Sequence, residues 1–195
     1  MGTSYATNPL IFILQFVQFV FEAYILVVLL RFFLQLTRAD FYNPLSQFIV
    51  KVTSPVLVPL RRMIPSMGGM DVAALVLAWA LKAVELLLVV LISTGAFSPG
   101  YAILGAIPGL VGLTINIFLY AIIIQAILSW VNPGTYNPAA SLLYSLTAPV
   151  LRPVQRFIPP IGGIDLSPMV AILGLIVLKM LILPPLNQLV AALIS

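Results

Sequence analysis

The sequence predicts an all-α membrane protein with four transmembrane helices, arranged as two tandem parallel repeats. Each repeat carries a short amphipathic interfacial helix between its two spans. Three observations lead there. Of 195 residues, 62% are hydrophobic and 7% charged, with a mean hydropathy of +1.18, whereas soluble domains run near about 45–50% apolar and about 25% charged. Four apolar segments are long enough to cross a bilayer, which takes roughly 20 helical residues. Two loops rich in Pro, Gly, Asn and Asp also match each other at a fixed shift along the chain.

The elements follow in order. The opening MGTSYATNPL has no basic side chain, and the apolar run from Leu10 to Leu36 is too long for a signal-peptide core, so it reads as a retained first span. Arg31 and Gln35 lie near its end, where their stems can snorkel. Asn43 caps and Pro44 opens a short helix over about 43–60. Its apolar stripe is Leu45, Phe48, Ile49, Val52 and Val56, and Pro55 and Pro59 keep it short or kinked. Pro65 and Gly68-Gly69 make a turn, and Asp71 caps the second span, about 72–92. The third span covers about 104–131, with Gly105, Pro108, Gly109 and Gly112 punctuating its entry. A second amphipathic helix covers about 137–154, with Ala139, Leu142, Leu143, Leu146 and Val150 as its stripe. The fourth span covers about 166–183, where Pro184-Pro185 predicts a kink before a short continuation.

A shift of 94 positions superposes the two loops without a gap and gives 13 identities in 29 positions. Asn43, Pro44, Thr53, Pro55, Pro59, Pro65, Gly68, Gly69 and Asp71 fall on Asn137, Pro138, Thr147, Pro149, Pro153, Pro159, Gly162, Gly163 and Asp165. Residues 1–95 and 96–195 are thus two copies of one unit, each contributing two spans in the same orientation. The shared types are mostly turn and capping residues, which favours a structural unit over a partner-docking surface.

The doubled pattern N-P, T-x-P, P-x-x-R-x-I-P-x-x-G-G-x-D between spans resembles the YggT family of bacterial inner-membrane proteins, called YlmG in Gram-positive bacteria. The resemblance covers nearly the whole chain. It implies a multi-pass protein of the bacterial inner membrane and roles in osmotic stress tolerance and ion homeostasis, or a place beside cell-division genes. Plastid relatives are linked to cytochrome b6 haem maturation and nucleoid distribution. The second copy departs where Arg61 becomes Gln155 and Val58 becomes Arg152.

Lys and Arg cluster in the two repeated loops and are missing from 93–103. The positive-inside rule therefore puts both loops in the cytoplasm and both termini on the other side. Arg31, Arg38, Arg61, Arg62, Arg152 and Arg156 either set that topology alone or also contact anionic lipid headgroups or an acidic partner. Glu22, Lys82, Glu85 and Lys179 lie within spans, where charge is costly. Two acids and two bases neutralise one another if the spans pack into one bundle, either as register-fixing pairs or as an ion or proton path.

The chain has no Cys and no His. Disulfides, thiol nucleophiles, Cys-based zinc sites and His-ligated metal are thereby excluded. Five acidic residues form no catalytic constellation, the six Met read as core gap-fillers, and Trp79 and Trp130 read as packing and interface-belt residues. No catalytic, metal or cofactor residues are expected, and no direct nucleic-acid binding. The expected function is non-enzymatic: assembly or scaffolding, or envelope and osmotic or ion homeostasis, with a membrane-protein partner or a homo-oligomer. The competing reading is a small ion channel or transporter using the intramembrane charges.

Overall fold

The computed structural model describes residues 9–131, 137–158 and 165–194. Within them lie six helices: α1 Pro9–Leu36, α2 Pro44–Met63, α3 Val72–Thr94, α4 Pro99–Val131, α5 Pro138–Phe157 and α6 Ser167–Ile194. Four of these, α1, α3, α4 and α6, are long and apolar enough to cross a membrane. That architecture is compatible with a multi-pass membrane protein.

The caps form where the residue types require them. Asn43 Oδ1 accepts from Leu45 N at 2.9 Å, and Asn137 Oδ1 from Ala139 N at 2.9 Å. Asp71 accepts from Ala74 N, and Asp165 from Ser167 N at 2.9 Å. Gly68 and Gly69 both have positive φ, at 60° and 80°, and form the two central residues of a turn closed by reciprocal Met67–Met70 backbone bonds. Only a residue without Cβ takes that conformation cheaply. Pro159, Gly162 and Gly163 fall outside the described residues, as does the side chain of Trp130.

Three expectations need correcting. The short helices run three residues further than expected, through Pro55 and Pro59 in α2 and Pro149 and Pro153 in α5. Each proline removes a bond to the carbonyl four residues back. In α2 those carbonyls belong to Lys51 and Pro55, both exposed residues. In α6 the Pro184-Pro185 pair lies inside one helix that continues to Ile194. Likewise α4 starts at Pro99, not near 104, because proline suits a first helical turn and Pro108 is carried within.

The long helices pack in the order α1, α3, α4, α6, with α2 on α1 and α3 and α5 on α4 and α6. Helices α2 and α5 also touch each other, and α5 touches α1. One apolar cluster joins the two halves through Ile25, Val28 and Leu29 of α1, Leu57 of α2, Leu77 of α3, Ile117 of α4 and Leu142 of α5. Phe33 of α1 meets Phe118 of α4 edge-on, with ring centroids 5.0 Å apart.

The two amphipathic stripes meet different fates. In α5, Leu142 and Leu146 are buried. In α2, the matching Phe48 and Val52 are exposed, and the buried positions are instead Ser46, Thr53 and Leu57. Helix α2 therefore turns most of its apolar stripe outward and packs Ser46, Thr53 and Leu57, with Ile49 and Leu60, on the bundle.

Candidate functional site

Polar side chains inside the bundle form two comparable sets, 94 residues apart. Arg31 of α1 crosses to α2, where Nη1 donates to Thr53 Oγ1 at 2.6 Å, Ser54 Oγ at 3.1 Å and the Val50 carbonyl at 3.2 Å. In the second half, Gln125 occupies the Arg31 position and its Oε1 accepts from the Thr147 hydroxyl. Arg61 pairs with Asp71 through Nε at 3.2 and 3.3 Å as well as through Nη2. Gln155 takes the same place opposite Asp165, donating from Nε2 at 3.0 Å. The partner residue changes from half to half while the helix-to-loop tie persists.

A further tie links the halves directly, since Asn43 Nδ2 donates to the Pro138 carbonyl at 2.7 Å. That bond holds the starts of α2 and α5 together. Trp79 of α3 donates from Nε1 to the Ile103 carbonyl of α4 at 3.1 Å, in keeping with a packing role.

The span charges divide differently from the sequence expectation. Lys82 Nζ lies 2.8 and 3.0 Å from the two Glu85 oxygens and 3.0 Å from Glu22 Oε1. Glu85 is buried, whereas the Glu22 side chain is half-exposed, at 51%. Two carboxylates thus share one ammonium. Lys179 is not among them: its Nζ donates to Asn116 Oδ1 at 2.8 Å, between α6 and α4. A helix-to-helix bond at the Glu22 and Asn116 positions recurs in both halves, but the four charges do not meet in one cluster. The helix row explains this, because α1 and α6 stand at its opposite ends. The Lys82 stem runs over Gly109 of α4, where a Cβ would lie 2.9 Å from Lys82 Cε. Sequence reasoning read Gly109 only as a break in the span, and its role as a seat for the lysine appears with the packing.

The six arginines also separate. Arg31 is buried, so it does not snorkel or face headgroups, and its charge is spent on α2. Arg61 is committed to Asp71, and Arg62 is exposed on α2. Arg38, Arg152 and Arg156 come together on one cleft of about 510 Å³, where the end of α1 meets α5. Thr37, Ser145, Ala148, Pro149 and Pro153 complete its lining. Among the described residues no metal-ligating group of three or more acidic side chains is present. Asp165, beside α5, titrates below the ordinary carboxylate range: partial burial pushes it up, and hydrogen bonds from Ser167 and Gln155 outweigh that.

These features define a class: a helical bundle compatible with a multi-pass membrane protein, whose interior polar groups join helix to helix, with two shorter helices outside the four candidate spans tied together at one end. The family model described as CCB3/YggT matches twice, over residues 10–92 and 104–186. The chain belongs to the CCB3/YggT family. It is 47% identical to an uncharacterized protein of Pseudomonas aeruginosa over 168 residues, which cover 82% of each chain. It is 42% identical to the uncharacterized protein YggT of Escherichia coli K12 over 173 residues, 89% of this chain and 88% of that one. A chloroplastic YlmG homolog protein 2 of Arabidopsis thaliana is 35% identical over 85 residues, 41% of this chain and 32% of its own. No solved structure matches.

Proposed function

We propose that this chain is a non-enzymatic inner-membrane protein that acts as an assembly or scaffold factor, or in envelope and osmotic or ion homeostasis. The observation that carries this reading is how the polar groups are spent. Arg31–Thr53, Gln125–Thr147, Arg61–Asp71, Gln155–Asp165 and Lys179–Asn116 all tie one element to another. Such ties suit a rigid frame made of two copies of one unit, each with its own amphipathic helix. The outward apolar stripe of α2 suits a helix lying at the headgroup level, with the charged loops cytoplasmic and both termini opposite. Its natural partners are anionic lipid and another membrane protein or a second copy.

A second reading, a small ion channel or transporter, is favoured by one feature. The half-exposed Glu22 leads to the buried Lys82–Glu85 pair, and two carboxylates for one ammonium leave a formal charge of −1 in that cluster. Potassium and proton flux into liposomes holding the purified, oriented protein separates the two. Under the scaffold reading the protein is silent. Saturable flux that Glu22→Gln abolishes while the protein stays folded would refute it in favour of conduction.

A further inference from the structure

The Arg38–Arg152–Arg156 cleft has a construction that helix packing alone does not demand. Helix α1 ends in a Schellman turn: Ala39 N bonds the Leu34 carbonyl at 2.9 Å and Arg38 N bonds the Gln35 carbonyl at 3.1 Å. The left-handed position of such a turn normally takes glycine, yet here it holds Arg38, with φ at 53°. It is the one non-glycine residue with positive φ among those described. A side chain there is strained relative to glycine, so its retention calls for a reason beyond the turn. Arg38 borders the same cleft as Arg152 and Arg156, which lie four apart on one face of α5.

Three arginines line the cleft and no acidic residue does, while Thr37 and Ser145 complete its polar lining with hydroxyls that donate to the Phe33 and Ser141 carbonyls. Like charges placed together repel unless an anion sits between them, and guanidinium forks fit phosphate oxygens in bidentate fashion. The cleft belongs to the seam between the halves. Arg38 comes from the first half and Arg152 and Arg156 from the second, and Val58 stands where Arg152 would have its counterpart in α2. The cleft also lies at the α2/α5 end, where the outward Phe48 and Val52 suit a headgroup-level position.

We propose that this cleft is a binding site for a phosphate group, carried by an anionic lipid headgroup or free in solution, which clamps the end of α1 to α5 across the seam. Binding there does not depend on whether the bundle scaffolds a partner or conducts an ion.

The test uses the full chain in a phosphate-free detergent, with three probes: phosphatidylglycerol, phosphatidylcholine and inorganic phosphate. Retained lipid is read by native mass spectrometry, and stability by thermal unfolding. Wild type retains phosphatidylglycerol in preference to phosphatidylcholine, or is stabilised by inorganic phosphate. The first result assigns a lipid source and the second a soluble one, and either upholds the site. Arg152→Gln with Arg156→Gln weakens binding about tenfold or more, as expected for lost charge-assisted bonds. Lys51→Gln, which removes an exposed charge on α2 outside the cleft, leaves it unchanged. Arg38→Gly is the sharper variant: it relieves the left-handed strain, so the probe-free protein melts higher while its affinity falls. Stabilisation without loss of affinity, equal binding by the double variant, or an equal loss in Lys51→Gln would each overturn the proposal.

Discussion

Replacing Arg31 tests whether buried polar ties hold α2 to the bundle. Arg31 is 6% exposed, and one of its guanidinium nitrogens, Nη1, faces three acceptors on α2. Nη1 carries two hydrogens, so these contacts amount to two full bonds, one of them shared. Charge-assisted bonds contribute about 1.5–3 kcal/mol each, or about 3–6 kcal/mol together. Releasing a buried guanidinium returns part of its desolvation cost, which runs to several kcal/mol. The expected net loss for Arg31→Met is about 1–3 kcal/mol. The second half supplies the control, because Gln125 serves Thr147 without a charge. Arg31→Gln therefore recovers about 1 kcal/mol relative to Arg31→Met, equivalent to roughly 2–4 °C in melting temperature for a chain of this size. Unfolding in mixed micelles, followed by circular dichroism, measures both variants against wild type. If Arg31→Met melts with wild type, or Arg31→Gln fares no better than Arg31→Met, the tie is not what secures α2.

The remaining predictions are narrower. Gly109→Ala places a methyl 2.9 Å from Lys82 Cε, so either the Lys82 side chain, held by two carboxylates, or α4 must shift. It lowers the melting temperature despite alanine's better helix propensity, whereas Gly174→Ala, with nothing within 4 Å, is neutral or gains up to about 1 kcal/mol. Equal melting of the two would show that Gly109 is not the seat of the lysine. For Asp165 the folded carboxyl titrates below its unfolded value, so its contribution is complete above the ordinary carboxylate range and is lost as pH falls through the folded value. Asp165→Asn should flatten that part of the acid limb of a stability–pH profile, and an unchanged limb would assign the loss to other carboxylates.

Much of this was legible from periodicity and spacing. Three of the four apolar helices start within a residue of the expected position, and Asn43, Asp71 and Asn137 cap where their types and positions predicted, while Asp165 accepts from Ser167 N just ahead of α6. Helix ends near proline were read less well. A missing N–H costs less where the residue bearing the freed carbonyl is exposed, as at Lys51 and Pro55, and exposure is not written in a local window. The arginines show the same limit, since Arg31 and Arg38 are seven residues apart in one helix-and-turn, yet one is buried on Thr53 and the other borders an open cleft.

The sequence by itself determined the composition class, the four apolar helices, the doubled loop motif and the family resemblance, because these follow from hydropathy, spacing and residue identity. Only the tertiary structure decided which charges meet between helices, since the Lys82–Glu85 pair follows from their spacing of three on α3. It set Lys82 between Glu22 and Glu85, sent Lys179 to Asn116, and gathered Arg38 with Arg152 and Arg156. The reason is geometric. Charge pairing depends on which helices are neighbours and which faces they turn to one another, and the order α1, α3, α4, α6 is a property of packing among all of them.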